Sequence, residues 1–537
     1  MREVLVRMGC LLGSWWLTAC AVYADVKLPA LFSDHMVLQQ GDRTPIWGTA
    51  DAGEAIKVTL GDQTWETKAD GQGRWRIDMK GLKASDQPTE LIIKGNNTIT
   101  LSDVLIGEVW ICSGQSNMEW PVVASADSAK TLASAEQPML RLFKVPRKTS
   151  LEPLNDIAAS WKECKPQEVQ SFSAVGYFFG RYLRRDRKVP IGLIQSAWGG
   201  TVAEAWTSKE ALNDHADLAY LVKRHQEAVA FYVKNEKRLW AEYEEKRAKY
   251  VKENTPPTQQ GGQTGSATVL PPPPFKPPTD PRANPNAAAQ LYNGMIAPLQ
   301  PFAIRGVIWY QGESNAGRAF EYRTLMPILI GSWRKAWNHD DMTFLMVQLA
   351  PYERGVPEGI WPELREAQWL TTKILKKCGM VVITDVGDRN DIHPKEKGVV
   401  GERLAFAARA IAYGEPIEWS GPMYEKMEKR GNEIVLHFSH VGSGLVAKNG
   451  PLMGFTICGP DQQFVKADAR IDGKTVVVSH PDIKEPVAVR FGWDNYPTVN
   501  FYNEDGFPAT PFRTDDFPMK TKPKPKANEQ STKNKGR

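Results

Sequence analysis

Residues 104–121 read VLIGEVWICSGQSNMEWP. The stretch from Val104 to Cys112 is mostly apolar and stops abruptly at Gly114-Gln115-Ser116-Asn117. An apolar run of this length, closed by a glycine turn, is the pattern of a strand covered on both faces, as in a parallel sheet under helices. In such sheets ligand chemistry sits at the carboxyl ends of the strands, where loops enter helices. The spacing therefore delivers the Ser116 hydroxyl to a strand end. A helix starting there would aim backbone N–H groups and its positive dipole end at an anion forming beside that hydroxyl. The plainer reading is a serine that merely caps a helix. The lipase-type turn Gly-x-Ser-x-Gly is not matched, because position 118 is Met.

Three further apolar runs end in polar turns. Ile194-Gln195-Ser196-Ala197-Trp198-Gly199-Gly200-Thr201 offers two glycines, where a backbone N–H can approach a ligand with no side chain in the way. Ile308-Trp309-Tyr310-Gln311-Gly312-Glu313-Ser314-Asn315 offers amide side chains, which can donate to a developing oxyanion. Asp385-Val386-Gly387-Asp388-Arg389-Asn390-Asp391-Ile392-His393-Pro394 precedes an expected helix over 395–412. A histidine there can act as general base toward a hydroxyl, with a nearby carboxylate fixing its tautomer. A lone loop histidine is usually only surface, but four such turns at four strand ends are hard to dismiss together.

The 537 residues exceed what one hydrophobic core usually organises, and an apolar content of 42% with 18 Trp marks a globular chain. Residues 25–100 carry short alternating stretches punctuated by Gly-Asp, Asp-Gly and Gly-Asn, the texture of a small β domain. Over 101–415 apolar runs alternate with helical segments, which predicts a parallel sheet with covering helices. Within that span, 208–285 is an excursion: one or two long charged helices, then a Pro-rich segment with Pro271-Pro272-Pro273-Pro274. A helix is expected to begin near Asn286. Over 416–516 the β texture returns, and 517–537 reads as a disordered basic tail.

Residues 1–24 read as a signal peptide, with Arg2 and Arg7 flanking the apolar stretch Met8 to Ala19. Cleavage after Val22-Tyr23-Ala24 would leave a soluble periplasmic or extracellular protein. Leu17-Thr18-Ala19-Cys20 is alternatively a lipobox that would leave Cys20 lipidated. The soluble form is favoured, and no later segment is long and apolar enough to span a membrane. Cys112, Cys164, Cys378 and Cys458 are too scattered for a zinc site or a disulfide framework, although one bridge is conceivable. The formal net charge of +5 misleads: the tail from Lys520 contributes +6 and the leader +1, so the body between carries −2. Nucleic acid is thereby excluded as the expected partner. None of the eight histidines has metal-ligand spacing, and no metal or other cofactor is expected.

The motifs GQSNMEWP, WGGT, WYQGESNA and DIHP, in this order, resemble the sialate O-acetylesterase family of SGNH-type serine hydrolases, a group that also holds plant-polysaccharide acetylesterases. FSDHMVLQQ (32–40), YNGMIAPL (292–299) and GFPATPFRTDD (506–516) resemble family stretches too, so the likeness covers nearly the whole chain after the leader. It implies an α/β fold: a three-layer, flavodoxin-like catalytic domain with a parallel sheet, flanked by β-sandwich-like domains at both ends. It also implies Ser116 as nucleophile, His393 as base, and oxyanion donors from the Gly199/Gly200 turn and Gln311 beside the Ser116 amide. The usual acid position, three residues before the histidine, is Asn390 here. Asp391 is the expected acid, with Asp388, Glu313 or a bare Ser/His pair as alternatives. The altered block QGESN leaves Gln311 versus Asn315 open, and Asn117 joins Glu313, Asn315 and Asp388 as expected support.

The expected partner is an acetylated sugar or polysaccharide: sialic acid, or alternatively xylan, xyloglucan or another glycan. Of Trp120, Trp198, Trp206, Trp309 and Tyr310, Trp206 is the expected sugar contact, the others being as readily core. Arg318, Arg323 and Arg389 are candidates for a sialic carboxylate and equally for plain surface arginines. Two rival classes stand: a non-catalytic carbohydrate-binding protein, and a glycoside hydrolase using Glu313 with Asp391 as its carboxylate pair.

Overall fold

The computed structural model describes residues 25–255 and 270–524. The leader, Cys20, part of the Pro-rich excursion and the end of the basic tail lie outside the described residues.

The central sheet has seven strands: β1 Thr98–Gly114, β2 Gln137–Lys144, β3 Trp161–Cys164, β4 Ile191–Ala197, β5 Gly306–Tyr310, β6 Thr343–Val347 and β7 Cys378–Val381. Their order is β7-β6-β5-β1-β4-β2-β3. Every pairing is parallel except the β2–β3 edge. Apart from that edge, the strands follow the flavodoxin-like order, in which the chain reverses its direction of winding between β1 and β5.

The sheet is apolar on both faces because alternate residues point to opposite layers. On one face Trp110, Cys112, Leu193, Ile308 and Leu345 pack against α2 Ala174–Arg187 and α6 Lys397–Ile411 through Val175, Phe179, Leu404 and Ala408. On the other, Val109, Ile111, Val307, Trp309 and Phe344 pack against α4 Ala319–Trp337 and α5 Ile360–Ile374 through Leu325, Leu329, Trp333 and Leu364. The chain also forms the short α1 Ser116–Glu119 and the 36-residue α3 Ala219–Asn254. Of α3 only Leu221, Val222 and Tyr232 are buried, in keeping with its charged sequence.

β1 is 17 residues long and serves two sheets. Its first half pairs antiparallel with Ser85–Lys94 in the N-terminal β layers, and its second half lies between β4 and β5. The boundary expected at 100/101 falls inside this strand. The C-terminal part stacks one antiparallel sheet, built on Glu433–Ser439 and Thr475–Ser479, over another built on Phe455–Cys458 and Ala488–Phe491. Ile434, Val476, Ile457 and Phe491 meet between them.

Two expectations change. The region after Asn286 forms a π-type turn, Tyr292–Ile296, and a 3-10 turn rather than a regular helix. The start of the basic tail is ordered: Met519 is buried, and the backbone amides of Lys520 and Thr521 donate to the Glu363 carboxylate at 2.5 and 2.9 Å. A buried acceptor on α5 thus fixes a segment that composition alone assigns to solvent. Cys112, Cys164, Cys378 and Cys458 are unpaired, and among the described residues no helix is long and apolar enough to cross a membrane.

Candidate active site

The carboxyl ends of β1, β4 and β5 and the segment after β7 converge where the winding reverses. At the end of β1, Gly114 adopts φ +138°, and a Cβ there would lie 2.2 Å from the Tyr310 carbonyl oxygen. Only glycine lets β1 pass this close to β5. The Gln115 amide then donates to that same carbonyl at 3.0 Å, which turns the chain into α1 with Ser116 at its start.

The Ser116 Oγ lies 2.9 Å from His393 Nε2, across 277 positions of sequence. The half-buried imidazole stacks on the Trp120 indole, ring centroids 4.9 Å apart and planes 19° from parallel. With Nε2 facing the hydroxyl as acceptor, the ring proton belongs on Nδ1. Asp391 Oδ1 is 3.5 Å from that Nδ1 and accepts the His393 backbone amide at 2.9 Å. At that distance the carboxylate acts more by charge than by a full hydrogen bond. Burial, and then the Lys397 charge, hold His393 below the usual histidine range, while Asp391 opposes them. The imidazole is accordingly neutral near pH 7, the form a general base requires.

Asp388, one of the alternative acids, instead builds the turn: its Oδ1 accepts the amides of Asn390 and Asp391 at 2.8 and 3.1 Å. Glu313 takes a hydrogen bond from Asn117 Nδ2 at 2.6 Å and has its other carboxylate oxygen buried with no hydrogen-bond partner among the described residues.

Gly199 sits against Ser116, since a Cβ there would be 3.3 Å from the Ser116 Cβ. Its amide currently donates to Glu119 Oε2 at 2.7 Å, while Glu119 Oε1 is 2.7 Å from Arg147. Gly200 has φ +75° and faces open space, which allows the turn without obstructing the site. Neither Glu119 nor Arg147 is recognisable from motif spacing alone.

Two expected roles are corrected. Gln311 is fully buried and commits its amide nitrogen to the Thr201 carbonyl at 3.2 Å and Asn315 Oδ1 at 2.6 Å, which uses both hydrogens and leaves none for an oxyanion. Asn315 accepts the Ala203 amide at 2.9 Å and donates to Glu204 at 3.0 Å, so it braces the turn after β4. Trp206 has no exposed surface to offer a sugar: its Nε1 donates to Thr201 Oγ1 at 2.9 Å and its ring packs edge-on to Trp309. The three arginines considered for a sialic carboxylate already have partners: Arg318 pairs with Glu204 and Glu321, Arg323 with Glu366, and Arg389 with Glu353.

The sequence reading missed Lys397. It is fully buried at the first position of α6, with its Nζ 2.5 Å from Asn117 Oδ1. The available signal was a lysine in the first turn of a helix, where the dipole disfavours a cation.

The family model for the carbohydrate esterase described as sialic acid-specific acetylesterase matches residues 106–246 and 283–410. The sialate O-acetylesterase of Rattus norvegicus is 28% identical over 90% of this chain and 94% of its own, and that of Homo sapiens 26% identical over 90% and 92%. The crystal structure of a carbohydrate acetylesterase from Xanthomonas citri is 35% identical, covers 92% of this chain and all of that one, and superposes with a TM-score of 0.76. By this family match and these relatives, the chain belongs to the carbohydrate esterase family of sialic acid-specific acetylesterases.

Proposed function

We propose that the protein is a serine esterase that removes O-acetyl groups from carbohydrates through an acetyl-enzyme intermediate. The observation that carries this reading is the Ser116 Oγ–His393 Nε2 contact of 2.9 Å, made at the switch point of a parallel sheet. His393 Nε2 takes the hydroxyl proton as Ser116 Oγ attacks the acetyl carbonyl carbon. The carbonyl oxygen becomes an oxyanion, for which the backbone amides of Ser116 and Gly199 are the assigned donors, the latter once the Glu119 carboxylate has given way. Collapse of the tetrahedral intermediate breaks the bond to the sugar oxygen, which leaves with the proton from His393. Water then attacks the acetyl-enzyme by the same route, releasing acetate and restoring the serine. Asp391 orients the imidazole and stabilises its charged form.

The substrate belongs to the same proposal: an acetylated glycan, with O-acetyl sialic acid first because the curated relatives carry that activity in their names. Export through the signal peptide at 1–24, to periplasm or exterior, would bring the enzyme to such glycans. Ser116→Ala and His393→Ala should each lower kcat for 4-nitrophenyl acetate and for acetylated glycans by at least about 10³-fold while leaving the fold intact. Acetate release that persists in folded Ser116→Ala would overturn the assignment. Release of free sugar in place of acetate would transfer the chemistry to a carboxylate pair.

A further inference from the structure

Three polar side chains, from the turns after β1 and β5 and from the start of α6, meet beside the Ser116–His393 pair. Asn117 is fully buried at their centre. Its Nδ2 donates to Glu313 Oε1 at 2.6 Å and to the Ile392 carbonyl at 3.0 Å, and its Oδ1 accepts from Lys397 Nζ at 2.5 Å. Ile392 immediately precedes the histidine, so one amide ties the nucleophile turn directly to the loop that carries the base. Among the described residues Lys397 Nζ has no acceptor besides Asn117 Oδ1; otherwise it faces the Tyr310 and Trp120 rings, 5.3 and 5.9 Å from their centroids. Burying an ammonium and a carboxylate is costly. A structural strut alone would not need either charge.

We propose that Asn117, Glu313 and Lys397 form a buried positioning unit for the reaction assigned above, in which Asn117 holds the His393 loop against Ser116 and Lys397 sets a positive charge beneath the imidazole. The proposal rests on the reading of Ser116 and His393 as nucleophile and base. The titratable and charged groups facing Lys397 are Glu313 from the turn after β5, Tyr310 from β5 itself, and Asp391 and His393 from the segment after β7. Burial pulls Lys397 down to about 7 against the pull of Glu313 and Asp391. His393 titrates below the usual histidine range, where Lys397 is still mostly charged. The ammonium therefore repels an imidazolium and extends the neutral, base-competent form to lower pH.

The test is the pH dependence of kcat/KM for 4-nitrophenyl acetate, measured on the whole protein. Lys397→Gln keeps a donor to Asn117 but removes the charge. Its acid limb should move to higher pH, while its plateau kcat, read above pH 7 where Lys397 has largely lost its proton, should stay within about threefold. Lys397→Arg, which keeps the cation, should leave the acid limb in place. Asn117→Ser leaves the charge but cuts the tie to Ile392, so kcat should fall about tenfold or more with KM within about twofold and the limb unmoved. It also serves as the readout if Lys397→Gln does not fold. A folded Lys397→Gln whose acid limb coincides with that of the unsubstituted enzyme overturns the charge role, and full kcat in Asn117→Ser overturns the tie. Either result alongside an inactive Ser116→Ala defeats this inference alone, whereas an active Ser116→Ala defeats the assignment beneath it.

Discussion

Replacing Trp120 with Ala tests whether a stacked aromatic ring sets the working state of His393, the proposed base. The indole covers one face of His393 at 4.9 Å and 19°, and its Nε1 is anchored on the Ala124 carbonyl at 2.9 Å. Stacked aromatic pairs contribute about 0.5–1.5 kcal/mol beyond their buried area. At about 1.4 kcal/mol per factor of ten, loosening the imidazole by that amount costs roughly two- to twelvefold in kcat. The pH profile carries the sharper signal. Burial is the largest cause holding His393 below its ordinary value. Opening one ring face to water stabilises the imidazolium, so the pKa returns upward and the acid limb of kcat/KM moves to higher pH. Trp120→Phe keeps an aromatic face without the N–H and should hold the limb near its original position. Steady-state kinetics from about pH 5 to 9, with a thermal melt of each variant, decide the matter. An unmoved limb with full kcat in Trp120→Ala would refute the reasoning, and an equal shift in Trp120→Phe would assign the effect to the anchoring hydrogen bond.

Asp391→Asn removes the charge that raises His393, so its acid limb should move to lower pH; because Asp391 is nearly half exposed and 3.5 Å from Nδ1, kcat should drop by only about tenfold, far less than in His393→Ala. Gly114→Ala places a methyl 2.2 Å from the Tyr310 carbonyl at φ +138°, a clash worth about 3 kcal/mol or more, and the melting temperature should fall by about 3 °C or more in calorimetry. Arg365 is fully buried and its guanidinium binds the carbonyls of Leu349, Ala350, Asp494 and Asn495, joining the catalytic sheet to the C-terminal β part. The carbonyls of Ala350 and Asn495 retain other donors, so Arg365→Leu strands chiefly Leu349 and Asp494, at about 2–5 kcal/mol. Limited proteolysis should then cut within 416–516 under conditions that leave the unsubstituted enzyme whole.

Strands and their polar ends were legible from the chain alone, because the signal is local. The apolar runs at 104–112, 190–195, 304–310 and 343–349 each lie within or across an observed strand of the central sheet, and the helix expected over 395–412 forms at Lys397–Ile411. Their covering on both faces follows from uninterrupted apolar composition, and the likeness of four ordered motifs implied the family before any contact was known. What only the tertiary structure decided is how each polar group spends its hydrogen bonds. Gln311 looks like an oxyanion donor in its motif, yet Thr201, 110 positions away, takes one of its hydrogens. Trp206 looks like a sugar platform and is fully buried, its ring edge-on to Trp309 and its carbonyl bonded by Trp333 Nε1. Lys397 looks like a solvated helix start and is bonded to an asparagine 280 positions earlier. Periodicity and turn chemistry are properties of neighbours along the chain, whereas burial, donor satisfaction and the charge state of a base depend on partners that only folding brings together.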